Sequence, residues 1–238
     1  MDQGIWAVWF DLEDSKKASH IKWLHETYLP ETRALPGIAW TAHYDLHPEI
    51  YAPQRARLKH TSDAIGQASQ HLVLVAAASP NIFFHKSSPL DPANQSQETK
   101  DRFAERKEVR WLVAREDFRV NGPDYQGALP GGTPSPCVQM GSFVMETAES
   151  EIGLGQWYEQ LRFGEFAKSK SCVRMRKLLG IAGWAKHAVL YEFTSNEDRA
   201  QNMEHTGTHK SEWGEKVIAQ TVHSPGSPVI GFRQWPKV

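Results

Sequence analysis

Residues 121–136 read NGPDYQGALPGGTPSP, with four glycines and four prolines. Gly and Pro at this density end regular structure on both sides. Before this stretch, residues 5–12 (IWAVWFDL) are an apolar and aromatic run of strand type. Residues 15–34 follow with helical spacing: Ile21, Leu24, His25 and Tyr28 fall on one face, and Pro36-Gly37 stops the run. Residues 38–46 alternate as a second strand, 71–79 (HLVLVAAAS) form a third, 98–108 a charged helix and 110–120 a fourth strand. After the Gly/Pro stretch the order returns. A strand at 138–146 precedes a helix at 150–170, whose apolar face carries Leu154, Trp157, Tyr158 and Leu161. Strands at 173–184 and 187–193, a helical region at 196–220 broken at Thr206-Gly207-Thr208, and a strand at 229–235 complete it. The order β-α-β-β-α-β is thus expected twice, as an internal repeat.

A four-stranded sheet of this order is ferredoxin-like, with helices on one face and a second apolar face that needs a partner. The second repeat supplies that partner within the chain. The expected fold is α+β, with a first repeat over 1–125, a Gly/Pro linker over 126–136 and a second repeat over 137–238, closed together as one barrel. A chain of 238 residues buries roughly 70% or more of its unfolded surface and needs no staples. Residues 47–69 and 80–97 belong only to the first repeat and are expected to cover a pocket mouth.

Lys plus Arg number 27 and Asp plus Glu 28, so no excess charge marks a nucleic-acid or anionic-membrane partner. Cys137 and Cys172 form no CxxC pair and are expected to be buried small residues. The N-terminus meets acids early and has no positive leader. No apolar run approaches the ~20 residues that span a bilayer. The expected location is the cytoplasm. Nine tryptophans fit an aromatic-lined cavity for a small hydrophobic or aromatic molecule.

Four segments carry a family resemblance. GQWYEQLRFGEF (155–166) resembles the "W-Y-x-x-x-H-x-P-E" helix of dimeric α/β-barrel proteins of the EthD-like group. KWLHETYLPETRALPGIAWTAHY (22–44) looks like the same helix and its following strand. AVLYEFTSNEDR (188–199) and HSPGSPVIGFRQWP (223–236) resemble later strands of that superfamily. The resemblance implies a single-chain dimeric α/β barrel with a pocket between sheet and helices. It departs where members often carry His on the helix: Tyr28 and Arg162 stand there, each followed by a retained Glu, Glu31 and Glu165. The superfamily includes cofactor-free isomerases, monooxygenases and lyases as well as heme-binding chlorite dismutases, and fold alone does not choose among them.

On the first helix, His25, Tyr28 and Glu31 lie on successive turns, an imidazole, a phenol and a carboxylate suited to acid–base work. On the second strand, period 2 puts Thr41, His43 and Asp45 on one face and Trp40, Ala42 and Tyr44 on the other. In the second repeat, Arg162 and Glu165 sit at i, i+3, where the Arg would bind a carboxylate or enolate. Tyr28, His25, His43 and Arg162 are the expected catalytic groups, and Trp23, Trp40, Glu31, Trp157, Glu165 and His187 the expected substrate-binding ones. Metal-like spacing is poor: Gly207 interrupts His205 and His209, and His20 and His25 share no face, so neither a metal nor a cofactor is expected.

These residues support a cofactor-independent lyase or isomerase acting on a hydrophobic, aromatic or carbonyl-bearing compound. The alternatives are a heme protein of chlorite-dismutase type, with His187 as axial ligand, and a non-catalytic binder of a hydrophobic metabolite. Edge strands leave room for pairing into a homodimer.

Overall fold

A computed structural model describes residues 2–88, 90–125, 132, 134–202 and 211–237. The first half runs β1 (Gly4–Asp11), α1 (Asp14–Trp23), α2 (Leu29–Ala34), β2 (Ile38–His47), α3 (Ala52–Arg55), β3 (Lys59–His60), β4 (His71–Ala77), α4 (Gln97–Ala104) and β5 (Lys107–Asn121). The second half runs β6 (Cys137–Met145), α5 (Ala148–Trp157), α6 (Phe163–Phe166), β7 (Cys172–Gly183), β8 (His187–Phe193), α7 (Asn196–Asn202), α8 (Glu212–Ala219), β9 (Thr221–His223) and β10 (Val229–Trp235). Most of the Gly/Pro linker and the expected break at Thr206-Gly207-Thr208, with His205 and His209, lie outside the described residues.

Eight strands close into an antiparallel barrel. One arc is ordered β2-β4-β1-β5 and the other β7-β8-β6-β10. The seams are antiparallel: β5 pairs with β7, and β10 with β2. β5 spans 15 residues because its first part pairs with β1 and its last part with β7. The short strand β9 extends the edge of β6, and β3 pairs with β9. Neither short strand was legible as strand, because three and two residues are too few for a period.

Alternation sorts the side chains into three layers. The barrel interior takes one residue set from every barrel strand, including Ile5, Trp40, Leu74, Leu112, Met140, Leu178, Leu190 and Val229. The opposite face of the first arc, with Val8, Phe10, Val73 and Val113, packs under α1 and α2. That of the second, with Phe143, Met175, Val189 and Tyr191, packs under α5 and α6. Strands β4 and β8 are buried along their whole length because both faces are covered. Cys137 and Cys172 are buried free thiols, pushed up to about 12 by burial.

The long first helix of each half widens by one residue at the same place. Leu29 N–H bonds the Leu24 carbonyl across a π-turn at Leu24–Tyr28, and Phe163 N–H bonds Tyr158 across one at Tyr158–Arg162. In the first half Pro30 follows directly. A proline lacks an N–H and its ring crowds the carbonyl four residues back, which the wider turn relieves.

One end of the barrel interior is plugged by charge. Asp2 meets Arg176 at 2.7 Å and Arg119 at 2.6 Å, and accepts from the Trp40 indole at 2.8 Å. Glu192 takes Arg174 in two hydrogen bonds, 2.7 and 3.2 Å, and lies 3.6 Å from Arg176. Burial raises the Asp2 carboxyl, but Arg176 and Arg119 outweigh it and hold the group well below the usual carboxylate range. Removing one partner of such a set strands the others in a low dielectric. Arg176→Met is therefore expected to cost about 3–5 kcal/mol. Thermal unfolding checks this against Lys59→Ala, which breaks an exposed pair with Glu146. A drop in Tm no larger than that of the Lys59 variant would show that the network does not hold the barrel end.

Candidate functional site

The helix-covered layer of the first half gathers the titratable groups. His43 and Asp45 point there from β2, and His71 from β4, where it pairs directly with Asp45 and diagonally with His43. His25 comes down from the π-turn. The groups form a chain: His25 Nε2 lies 2.8 Å from His43 Nδ1, His43 Nε2 lies 3.1 Å from His71 Nδ1, and that nitrogen lies 3.0 Å from Asp45 Oδ1. His43 and His71 have no exposed surface, whereas Asp45 is 37% exposed. Burial, then the neighbouring imidazoles, holds the His43 pKa well below its ordinary value, and burial also lowers that of His25. Burial raises the Asp45 carboxyl, but the hydrogen bond from His71 overcomes this and lowers it.

A cavity of about 590 Å³ opens on the same layer, between β1 and β5 and the segment after β4. Its walls include Trp6, Phe83, Leu90, Phe103, Trp111 and Val113, with His85 and Lys86 among the polar lining groups. Part of the 80–97 segment thus lines the cavity. Arg106 also lines it. The guanidinium stacks on Phe10 at 4.2 Å and Phe103 at 4.1 Å, and its Nε donates to His20 at 3.3 Å. Burial lowers Arg106 to about 10, which leaves it charged at neutral pH. Its Nη2 is buried and has no hydrogen-bond partner among the described residues.

The expected site residues divide. His25 and His43 meet. Trp23 and Tyr28 stack on each other at 5.3 Å and both pack edge-on against Phe103, next to the cavity. Burial pushes the Tyr28 phenol up to about 12, so it stays protonated. Two expectations are corrected. Trp40 faces the barrel interior, where it serves the Asp2 network, because it has the opposite parity to His43 on β2. Glu31 is exposed, because the π-turn shifts the phase of the helix beyond it and puts Leu29 and Thr32 on the buried side.

In the second half, Arg162 is buried. Its Nε donates to the Tyr191 hydroxyl at 3.3 Å and its Nη1 lies 3.7 Å from Glu165. Trp157 lines a cavity of only about 110 Å³. His187 is buried near that layer, its ring stacked on Phe143 at 5.6 Å. Neither ring nitrogen has a hydrogen-bond partner among the described residues, and burial lowers its pKa to about 4.

His71, Asp45, His20 and Arg106 were missed. His71 stands at the head of an otherwise apolar strand, which was a signal. Its meeting with Asp45 depends on strand register, which the sequence does not display. No metal set is spaced along the chain, yet His43, Asp45 and His71 bring three ligand-type atoms within 4.8 Å of one another.

No family model matches the chain, and no curated protein is detectably similar to it in sequence. Solved structures are similar in fold. A dye-decolorizing protein from V. cholerae matches with a TM-score of 0.57 at 9% identity, over 97% of this chain and 93% of that one. An anthrone oxidase-like protein matches at 0.56 and 8%, over 98% and 92%. A mutant chlorite dismutase from Candidatus Nitrospira defluvii matches at 0.50 and 10%, over 98% and 92%. The likeness is one of fold: a closed antiparallel barrel with helices on its outer faces. These neighbours are named for oxidation, dye decolorization and chlorite dismutation. They run against the expectation of a cofactor-independent lyase or isomerase.

The two halves of the barrel differ in the space under their helices. In the second half the cavity beside Trp157 has about 110 Å³, room for about four waters, and His187 is not among its lining residues. In the first half the 590 Å³ cavity lies within the usual ligand range of about 300–1,000 Å³. It has aromatic walls, an imidazole in His85 and an unsatisfied cation in Arg106. Those residues fit a heme.

The neutral buried histidines predict a pH dependence. His20, His187 and His223 have folded pKa values lowered by burial from 6.5 to about 4. A depressed folded value means that the unfolded chain takes up the proton first. Their contribution is complete above 6.5 and is lost as pH falls towards 4. The Glu105 carboxyl that meets His20 titrates below its ordinary 4.5, outside the upper part of this window. Tm is therefore expected to fall between pH 6.5 and 4.5, less steeply in His20→Gln. A flat profile across that interval would contradict it.

Proposed function

We propose that this protein is an oxidoreductase of the dimeric α/β-barrel superfamily that holds a heme in the cavity of its first half. The observation that carries this reading is the aromatic-walled 590 Å³ space next to a buried guanidinium with an unpartnered Nη2. A flat apolar ring system with carboxylate arms matches both features: the aromatic walls take the ring, and Arg106, with Lys86, takes a carboxylate. His85 is the imidazole available to the iron. When bound, the group supplies one-electron chemistry at iron. The chain's part is to exclude water with Trp6 and Phe103, and to fix orientation through Arg106. His20, kept neutral by burial, holds the other side of that guanidinium.

On this reading the halves, 1–125 and 137–238, are two ferredoxin-like repeats joined by 126–136. The matching strand orders and the matching π-turns support it. One repeat kept an open layer and the other closed its own. The EthD-like grouping rests on the helix motif at 155–166 and its counterpart at 22–44.

Titration of the full chain with hemin, followed by visible absorption, tests the proposal. A Soret band saturating at one heme per chain is expected. His85→Ala should alter or abolish the band, and Arg106→Met should weaken binding by about tenfold or more, as for loss of a hydrogen bond to a charged group. His187→Ala should leave it unchanged. Absence of a band, or a band insensitive to both His85 and Arg106, overturns the reading.

A further inference from the structure

We propose that His43, Asp45 and His71 form a binding site for one divalent first-row transition metal ion, separate from the aromatic cavity. The site is assembled by strand register: two imidazoles and a carboxylate are presented on one face by β2 and β4. Three atoms converge. His43 Nε2 and His71 Nδ1 are 3.1 Å apart, His71 Nδ1 and Asp45 Oδ1 3.0 Å, and His43 Nε2 and Asp45 Oδ1 3.7 Å. The centre of a triangle with these sides lies about 1.9 Å from each corner, and zinc–nitrogen and zinc–oxygen bonds are roughly 2.0–2.2 Å. An ion slightly out of that plane meets all three at ordinary bond lengths.

Hydrogen bonding alone satisfies this cluster poorly. A neutral imidazole has one N–H. With the His43 proton on Nδ1, facing His25 at 2.8 Å, His43 Nε2 carries a lone pair. That lone pair and the Asp45 carboxylate both face His71 Nδ1, so at most one proton serves three polar atoms. The other nitrogen of His71, Nε2, is buried with no hydrogen-bond partner among the described residues, so nothing there fixes which tautomer is present. A cation at the centre satisfies all three atoms at once.

Two His and one carboxylate with positions left open is the donor set of catalytic zinc and of non-heme iron(II) rather than of closed structural sites. Asp45 is 37% exposed, which gives water or a small ligand access to the open positions. His25 acts as a positioning residue: by accepting a hydrogen bond from His43 Nδ1–H it leaves the Nε2 lone pair facing the ion. The site lies one aromatic ring from the cavity. Phe10 stacks on His71 at 5.2 Å and carries Arg106 on its ring at 4.2 Å. The inference does not depend on the heme reading, since none of the three ligands lines that cavity.

The test uses the full chain, stripped with a chelator and titrated with Co(II) and with Zn(II). Bound metal is read by elemental analysis, Co(II) coordination by visible absorption, and folding by circular dichroism of each variant without metal. One ion per chain is expected. Asp45→Asn should weaken binding by at least about tenfold, and His71→Asn should abolish the Co(II) spectrum. His25→Gln should lower affinity by about 10–100-fold while one ion still binds at saturation. His187→Asn should bind as the unaltered protein does. If His71→Asn does not fold, Asp45→Asn, at the partly exposed edge, decides the matter. Failure of the unaltered chain to take up one equivalent, or equal affinity in Asp45→Asn, overturns the proposal.

Discussion

Closure of the barrel is the constraint on which everything else rests. Each four-stranded arc has its own helices on one face and an apolar second face that is unstable in water. Joining β5 to β7 and β10 to β2 buries both inner faces and removes every long open edge at once. The interior is then one shared core, and its charged end ties β1, β2, β5, β7 and β8 together through Asp2, Arg176 and Glu192. Binding chemistry is left to the two outer layers, between sheet and helix, where the packing is local to one half.

The same frame is filled differently on the two sides. In the second half Trp157, Tyr158, Phe163 and Phe166 occupy the space under the helix, and Arg162 is spent on Tyr191 and Glu165. In the first half the 80–97 segment holds the outer wall away from the sheet, which leaves the large cavity. Further along that layer, the positions facing the π-turn are polar rather than apolar: His25, His43, Asp45 and His71. His25 lies within the widened turn and meets His43 of β2, so the turn contributes to the chemistry of the layer as well as relieving Pro30.

Much of the architecture was legible in the chain. The strands at 187–193 and 229–235 match to the residue, because alternation and flanking Gly, Pro or polar residues mark their ends. Period 2 placed His43 and Asp45 on one face correctly. The same rule placed Trp40 on the opposite face, and the structure finds it in the barrel interior. Glu31 was read as continuing a regular helical stripe, and a single π-turn shifts that stripe by a full residue. His187 carried the right chemistry for a ligand, but whether space exists beside it depends on side chains from α5 that are distant in sequence.

Taken by itself, the sequence determined the order of the main strands and helices, which residues of β2 share a face, and the absence of charge excess. All of these follow from local periodicity and composition. Only the tertiary structure decided which strands lie side by side and in what register. That register joins His71 to Asp45 and His43, and it leaves one helix-covered layer open while the other is full. The physical reason is that cross-strand neighbours and packing volume are set by closure of the whole barrel, and no window of sequence contains both partners.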